Sequence, residues 1–384
     1  MIALARKTLV YEWRRFVPSV FAVGFSGVLL AMQAALVLGI FGSAALYVTA
    51  SGADLWLGFA GTQSVNFGRT IGADVEMRLR MDSDIVAVEP YQWVDGDWRS
   101  AGTGAGTGTG GGVSIYLSGI ATAPGALMFS RTLSGWQRAR LRESGAVIVD
   151  RADLSTLGAH EGGQAWINGH RVRVVAVVDG LRGLGGANVL ASLETAREIA
   201  GVDARGGATY FVAAVRAGAD PAVVRQRLQD EGRGGFGAYE AWTAQEFARR
   251  SQRYWMLDTG AGAGVLFMAL VVCIVGAVVT SQSLRTVVVG SAREYATLNA
   301  LGVSRAALGR VVVEQSFWIG LLGFTLAALA SAALLGLAAA YRVPVAINGL
   351  AVAACAVLVA ALSLMSGLGA VRSVLRTDPA TLLR

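Results

Sequence analysis

The chain has 384 residues, 54% hydrophobic and only 15% charged, with a mean hydropathy of +0.52 and a formal net charge of +7. Soluble domains carry about 25% charged residues, so the composition excludes an ordinary soluble chain and points to lipid-facing segments. Two histidines and two cysteines are too few for a zinc site built on them. The basic excess is almost all arginine, with Lys7 the sole lysine; in a membrane chain it reflects cytoplasmic loops, not nucleic-acid binding.

Residues 1–16 form a basic N-terminal segment with Arg6, Lys7, Arg14 and Arg15. A charge-free run from Val17 to Tyr47 follows. At ~1.5 Å per residue it exceeds a ~30 Å hydrocarbon core, so it must tilt or project beyond the bilayer. A cleaved signal peptide is the competing reading, but its apolar region is only about 7–15 residues. Residues 17–49 are therefore expected to be a first span with an outward extension.

Residues 50–241 read as an α+β domain. Asp74–Arg80 alternates apolar and polar residues, which predicts a half-buried strand. Val113–Ile120, Ala146–Asp150 and Thr209–Val215 are further strand-like runs. Gln164–Ile167 and His170–Val178 flank Asn168-Gly169, a strong hairpin signal. The Trp93/Trp98 pair is expected in the core or a hairpin, with a binding surface as the competing reading. Ala101–Gly112 is nearly all Gly, Ala and Thr and predicts a mobile loop; its G-x-G-x-x-G match is an accident of composition. Asp220 and Pro221 predict an N-cap and first turn for a helix over Ala222–Gln229.

Residues 242–284 begin with Thr243 and Glu246 at capping-box spacing, ahead of a helix directed toward a second span. Either that helix continues through Tyr254 and Trp255 as a stalk, or Gly260, Ala261, Gly262 and Gly264 break it. Two more spans are expected at 311–340 and 345–371, joined by 341–344 as an antiparallel hairpin. Cys273 and Cys355 lie in these apolar stretches as small core residues, not a disulfide. Gln33 and Gln282 suit interhelical hydrogen bonds, and the small residues in Gly320–Gly323 and Ser366–Gly369 suit close helix packing. Glu314, one turn after Arg310, is read as a paired structural charge near the headgroups rather than an intramembrane functional one.

Arginines crowd 1–16, 285–310 and 372–384, whereas 341–344 holds only Arg342. The positive-inside rule then places both termini and the 285–310 loop in the cytoplasm and the large domain outside. The fold class is thus a membrane protein with four transmembrane helices and a large α+β extracytoplasmic domain between the first and second.

No P-loop, H-E-x-x-H, G-x-S-x-G or paired-cysteine motif occurs. An enzyme is not expected, and no cofactor is expected in this chain. The loop Ser291–Ser304 stands out. Ser291 and Glu294 have capping-box spacing, Gly302 sits where a helix C′ glycine belongs, and Ser304 can cap the next helix. A helix this short either lies on the bilayer or docks in a groove on a cytoplasmic partner.

Arg293-Glu-Tyr-Ala-Thr-Leu-Asn-Ala-Leu-Gly-Val-Ser304 closely resembles the R-E-x-A-x-L-x-A-L-G-x-S signature of FtsX-like, MacB-type ABC permeases. Glu314 fits the family's glutamate at the start of the following span, and Arg376-Thr-Asp-Pro-Ala-Thr-Leu-Leu-Arg384 is similar to its usual tail. The motif-level resemblance covers roughly Gly260–Arg384, and the span order extends it over the chain. Without a fused ATPase, the chain looks like the stand-alone DevC-type permeases.

The resemblance implies the permease subunit of an ATP-driven exporter or mechanotransmission complex in the bacterial inner membrane. ATP and Mg2+ would be bound by a separate cytoplasmic ABC ATPase. Arg293, Glu294, Tyr295, Thr297, Leu298, Leu301 and Gly302 would form the coupling helix that contacts it. A second permease copy would complete a homodimer, with membrane lipid around it and a periplasmic adaptor as a further partner; nucleic acid is not expected. The alternatives are an FtsX-like subunit that regulates a cell-wall hydrolase and a membrane-anchored sensor without an ATPase.

Overall fold

The computed structural model describes residues 11, 13–101, 112–202, 207–232, 239–290, 297, 303–341, 343 and 345–375. The chain divides into two compact units, one over Phe41–Ala261 and one drawn from Met1–Ile40 and Gly262–Arg384.

Helix α1 (Trp13–Ser43) is long and apolar and ends at a turn over Ala44 and Ala45. The short α2 (Leu46–Thr49) follows and buries Tyr47 and Val48. Then come β1 (Leu55–Phe59), α3 (Asp74–Met81), β2 (Ile85–Ser100) and β3 (Val113–Ile120). Next are α4 (Gly135–Arg140), β4 (Ala146–Asp150), α5 (Leu154–Leu157), β5 (Gln164–Ile167) and β6 (His170–Val178). The outer unit continues with β7 (Ala187–Ser192), α6 (Leu193–Ala200), β8 (Tyr210–Val215), α7 (Pro221–Gly232), β9 (Tyr239–Thr243) and α8 (Ala244–Arg253). The other unit adds α9 (Ala261–Gly290), α10 (Arg305–Ala340) and α11 (Gly349–Leu375) to α1.

The strand β2 organises the outer unit. Its first half pairs antiparallel with β8, which pairs with β1, which pairs with β9. Its second half pairs with β3 and β5. Because β3 joins β7 in parallel, β7 joins β4, β4 joins β6 in parallel and β6 joins β5, the pairings close into a six-stranded ring. Alternate residues line one packed cluster: Ile115 and Leu117, Val147 and Val149, Val172 and Val174, Val189 and Ala191, with Trp98 across them. This is the period-2 rule of strands at work. Gly96 belongs to the same face of β2, since a Cβ there would lie 3.0 Å from both Ile115 and Ile167 side chains.

The outer unit is α+β, as the sequence predicts. The 164–167/170–178 hairpin forms with Asn168 at φ 50° and Gly169 at φ 86°, the paired positive φ of a type I′ turn. Asp220 caps α7 by accepting from the Ala222 N–H at 2.9 Å. Trp93 and Trp98 are both buried, and the Trp98 indole donates to the Leu157 carbonyl at 2.9 Å.

One expected strand is a helix. Asp74–Arg80 lies in α3, where only Val75 and Leu79, four residues apart, are buried. Its alternation was compatible with period 2, but Asp74 and Glu76 open the helix and Arg78 and Arg80 close it, the order that suits the helix dipole. The Arg80–Glu76 pair at 2.7 Å adds an i, i+4 link. The run 102–111 lies outside the described residues.

Among the described residues, three helical stretches are long and apolar enough to cross a membrane: Phe16–Ser43, Ala261–Ser283 and Gly309–Ala340. A shorter apolar stretch, Gly349–Ala361, lies within α11. Phe16, Val23, Leu30, Ile319 and Val359 form this unit's core, with half-buried Cys273 and Cys355 against it as free thiols.

Candidate functional site

Of the residues expected to form the coupling helix, Thr297 alone is among the described residues. Arg293, Glu294, Tyr295, Leu298, Leu301 and Gly302 lie outside the described residues, as does the 376–384 tail. Thr297 is helical and exposed. The flanks are described: α9 reaches Gly290, and Ser304 caps α10, its hydroxyl accepting from the Ala307 N–H at 3.3 Å. In the chain, α9 and α10 therefore stand on either side of residues 291–303.

The expected Arg310–Glu314 pair does not form. Arg310 is exposed, Glu314 is half-buried, and Glu314 has no ion-pair partner among the described residues. An i, i+4 pair is worth only about 0.3–0.5 kcal/mol, and acid following base along a helix is the weaker order.

Helix contacts in this unit follow the sequence reading in part: Gln282 is exposed, and its side chain makes no hydrogen bond among the described residues. Gln33 Nε2 donates to the Val265 carbonyl at 3.2 Å, linking α1 to α9. A Cβ on Gly323 would fall 2.6 Å from Val23 Cγ1, so α1 and α10 approach where neither Gly24 nor Gly323 carries a side chain.

In the outer unit, the first and last elements meet. α2 directly follows α1, and α8 is the last α-helix before α9. Tyr47 and Val48 of α2 share one buried cluster with Phe247 and Ala248 of α8. Tyr47 packs edge-on to Trp93 at 4.8 Å, and Phe247 stacks on Trp242 at 4.6 Å. Thr243 and Glu246 form the predicted capping box, with Thr243 accepting from the Glu246 N–H at 3.2 Å. Both readings of the next segment hold in part: α8 runs on without interruption as a π-helix over Tyr254–Asp258, carrying Tyr254 and Trp255, and the break comes at Gly260, φ 73°, before α9 starts.

Sequence reasoning missed the polar groups that tie α2 to the sheet. Glu89 of β2 accepts from the Leu127 and Met128 N–H groups at 2.7 and 3.4 Å, and burial raises its pKa against those bonds. The Leu127 carbonyl accepts from the Gly52 N–H at 2.8 Å. Arg138, also buried, donates to the Ala121 and Met128 carbonyls, and burial lowers its pKa. Asp153 is nearly inaccessible, is approached by Arg182 at 3.4 Å, and has its pKa raised by burial. Only the acid and arginine residue types were visible beforehand; the carbonyls they meet are far along the chain. No group of three or more His, Cys, Asp or Glu suited to a metal occurs among the described residues.

The family model of the FtsX-like permease C-terminal domain matches residues 266–379. The chain carries an FtsX-like permease domain. That domain spans most of α9 and all of α10 and α11. No curated protein matches the chain. Solved structures similar to it include the periplasmic region of MacB from Actinobacillus actinomycetemcomitans, at 14% identity and a TM-score of 0.36, over 53% of this chain and 94% of that one. The extracellular domain of the noncanonic ABC-type transporter YknZ from Gram-positive bacteria is 13% identical, with a TM-score of 0.33, over 50% and 98%. A domain of a putative permease protein from Porphyromonas gingivalis is 10% identical, with a TM-score of 0.33, over 50% and 90%. At such identities and scores nothing of their activity passes to this permease.

Proposed function

We propose that this permease is the membrane subunit of an ATP-driven ABC exporter or mechanotransmission complex of the bacterial inner membrane. It spans four times, with α11 as the fourth helix and both termini cytoplasmic. A separate cytoplasmic ATPase binds ATP and Mg2+. It docks on the helix containing Arg293, Glu294, Tyr295, Thr297, Leu298, Leu301 and Gly302. A second permease copy presents the same helix to a second ATPase, and a periplasmic adaptor receives the outer unit's movement.

The match of 266–379 to the FtsX-like domain carries this reading. The packing of α2 against α8 supports it, because the two ends of the outer unit lie in one core. A relative shift of the helices that precede and follow the unit then acts on a single packed cluster, and close-packed interiors transmit strain.

The test is Leu298→Asp. A carboxylate on the apolar side of a docked helix must be desolvated without a partner, a cost of several kcal/mol. The expected outcome is normal membrane insertion with loss of ATPase co-purification. Undiminished co-purification overturns the docking assignment.

A further inference from the structure

A second surface emerges where the outer unit's chain turns toward α9. The loop Ser64–Gly68 is pinned from beneath. The Tyr210 hydroxyl, fully buried, lies 3.3 Å from the Ser64 carbonyl and 2.9 Å from that of Val65. The Trp255 indole donates to Ser64 Oγ at 3.1 Å. Gly68 leaves no room for a side chain, since a Cβ would sit 2.5 Å from the Tyr210 hydroxyl. A loop held this firmly nevertheless leaves Phe67 49% exposed. Its ring meets Tyr254 at 5.3 Å and Trp255 at 6.0 Å, and nearby Leu257 is 58% exposed.

The position of this cluster follows from chain length. Trp255 precedes Ala261, the first residue of α9, by six residues, and six residues reach at most ~20 Å. Tyr and Trp within that reach of a span favour the headgroup level, with the ring in apolar surroundings and the polar atom hydrated. Phe67 joins them from nearly two hundred residues earlier. Basic residues outnumber acids beside the cluster: Arg69, whose guanidinium lies 5.2 Å over the Phe59 ring, and Arg253 are exposed and have no carboxylate partner among the described residues. Asp258 is the single acid in Arg253–Asp258.

We propose that the Ser64–Arg69 loop, with Tyr254 and Trp255, is a lipid-contact site of the outer unit. Phe67 inserts at the headgroup boundary, and Arg69 and Arg253 take anionic phospholipid headgroups. The proposal rests on the reading that α9 enters a membrane. It gives the outer unit a foothold on the bilayer from a loop remote in sequence from either neighbouring helix.

The experiment uses the full chain, with Cys273→Ala and Cys355→Ala, in nanodiscs of phosphatidylcholine with or without phosphatidylglycerol. An environment-sensitive dye is placed at Phe67→Cys, at Gln63→Cys, which keeps Phe67, or at the exposed loop position Glu161→Cys. Lipids spin-labelled near the headgroup are expected to quench the dye at 67 and 63 at least about twofold, more with phosphatidylglycerol, and to leave 161 unquenched. Arg69→Glu with Arg253→Glu is expected to abolish the phosphatidylglycerol effect. Quenching at 67 and 63 no greater than at 161 overturns the proposal. A dye shielded from water yet unquenched also overturns it, assigning the patch to a protein contact. Quenching indifferent to phosphatidylglycerol and to the charge reversals overturns the anionic headgroup assignment. A chain that does not enter nanodiscs at all speaks against the membrane reading itself, a separate failure.

Discussion

Replacing Tyr47 by phenylalanine keeps the ring that packs on Trp93 and Phe129 and removes only the hydroxyl. That hydroxyl is fully buried and has no hydrogen-bond partner among the described residues. A buried unsatisfied polar group costs about 1–3 kcal/mol, so Tyr47→Phe should stabilise the outer unit by about 1 kcal/mol at pH 7. Tyr47→Ala, which deletes the ring, should cost about 3–5 kcal/mol. Alkaline pH gives an independent reading. Burial raises the pKa of Tyr47, and that of Tyr91 and Tyr210 as well. The unfolded chain releases these protons near pH 10 while the folded chain holds them. Their stabilisation is therefore complete below about pH 10 and is lost as pH rises toward the folded-state values, by about 1.4 kcal/mol per pH unit per group. The groups add, so Tyr47→Phe should lower the alkaline slope by about 1.4 kcal/mol per unit. Urea unfolding of the full chain in detergent, followed by tryptophan fluorescence from pH 7 to 11, measures both quantities. A Tyr47→Phe protein less stable by more than about 1 kcal/mol at pH 7, or one with an unchanged alkaline slope, refutes the reasoning.

Thr243→Ala removes the N-cap of α8 and half of its capping box; the expected loss is about 1 kcal/mol in the same assay, with Thr243→Ser restoring most of it. Gly323→Val drives two methyl groups toward Val23 and the Gly24 backbone. It should lower the thermal stability of the membrane unit by about 1–3 kcal/mol while leaving the outer unit's urea transition in place.

The sequence was most informative where one segment satisfies its own physics. The α9 and α10 stretches are apolar for long enough to name themselves. Asn168-Gly169 specifies its hairpin because few other residues accept two successive positive φ values. Thr243 and Glu246 fix the start of α8 by reciprocal bonds three residues apart. The Arg293–Ser304 motif lies within residues 266–379, the stretch that the family model matches. Asp74–Met81 misled because eight residues can satisfy period 2 and a helix at once; only the burial of Val75 and Leu79 against the outer unit's core decides between them. β2 went unread because Pro90 and Gly96 interrupt it and acids stud it. What holds it as a strand is pairing with three partners distant in sequence.

By itself, then, the sequence determined the membrane class, the α+β character of the outer unit, several local turns and caps, and the segment that marks the family. These are set within a few residues or one helix length, where solvent preference and backbone sterics act alone. Tertiary structure alone decided that β2 closes a six-stranded ring, that Tyr47 and Phe247 share a core, and that Phe67 lands beside Trp255. Each of these depends on residues tens to nearly two hundred positions apart, whose meeting is set by packing that no local pattern encodes.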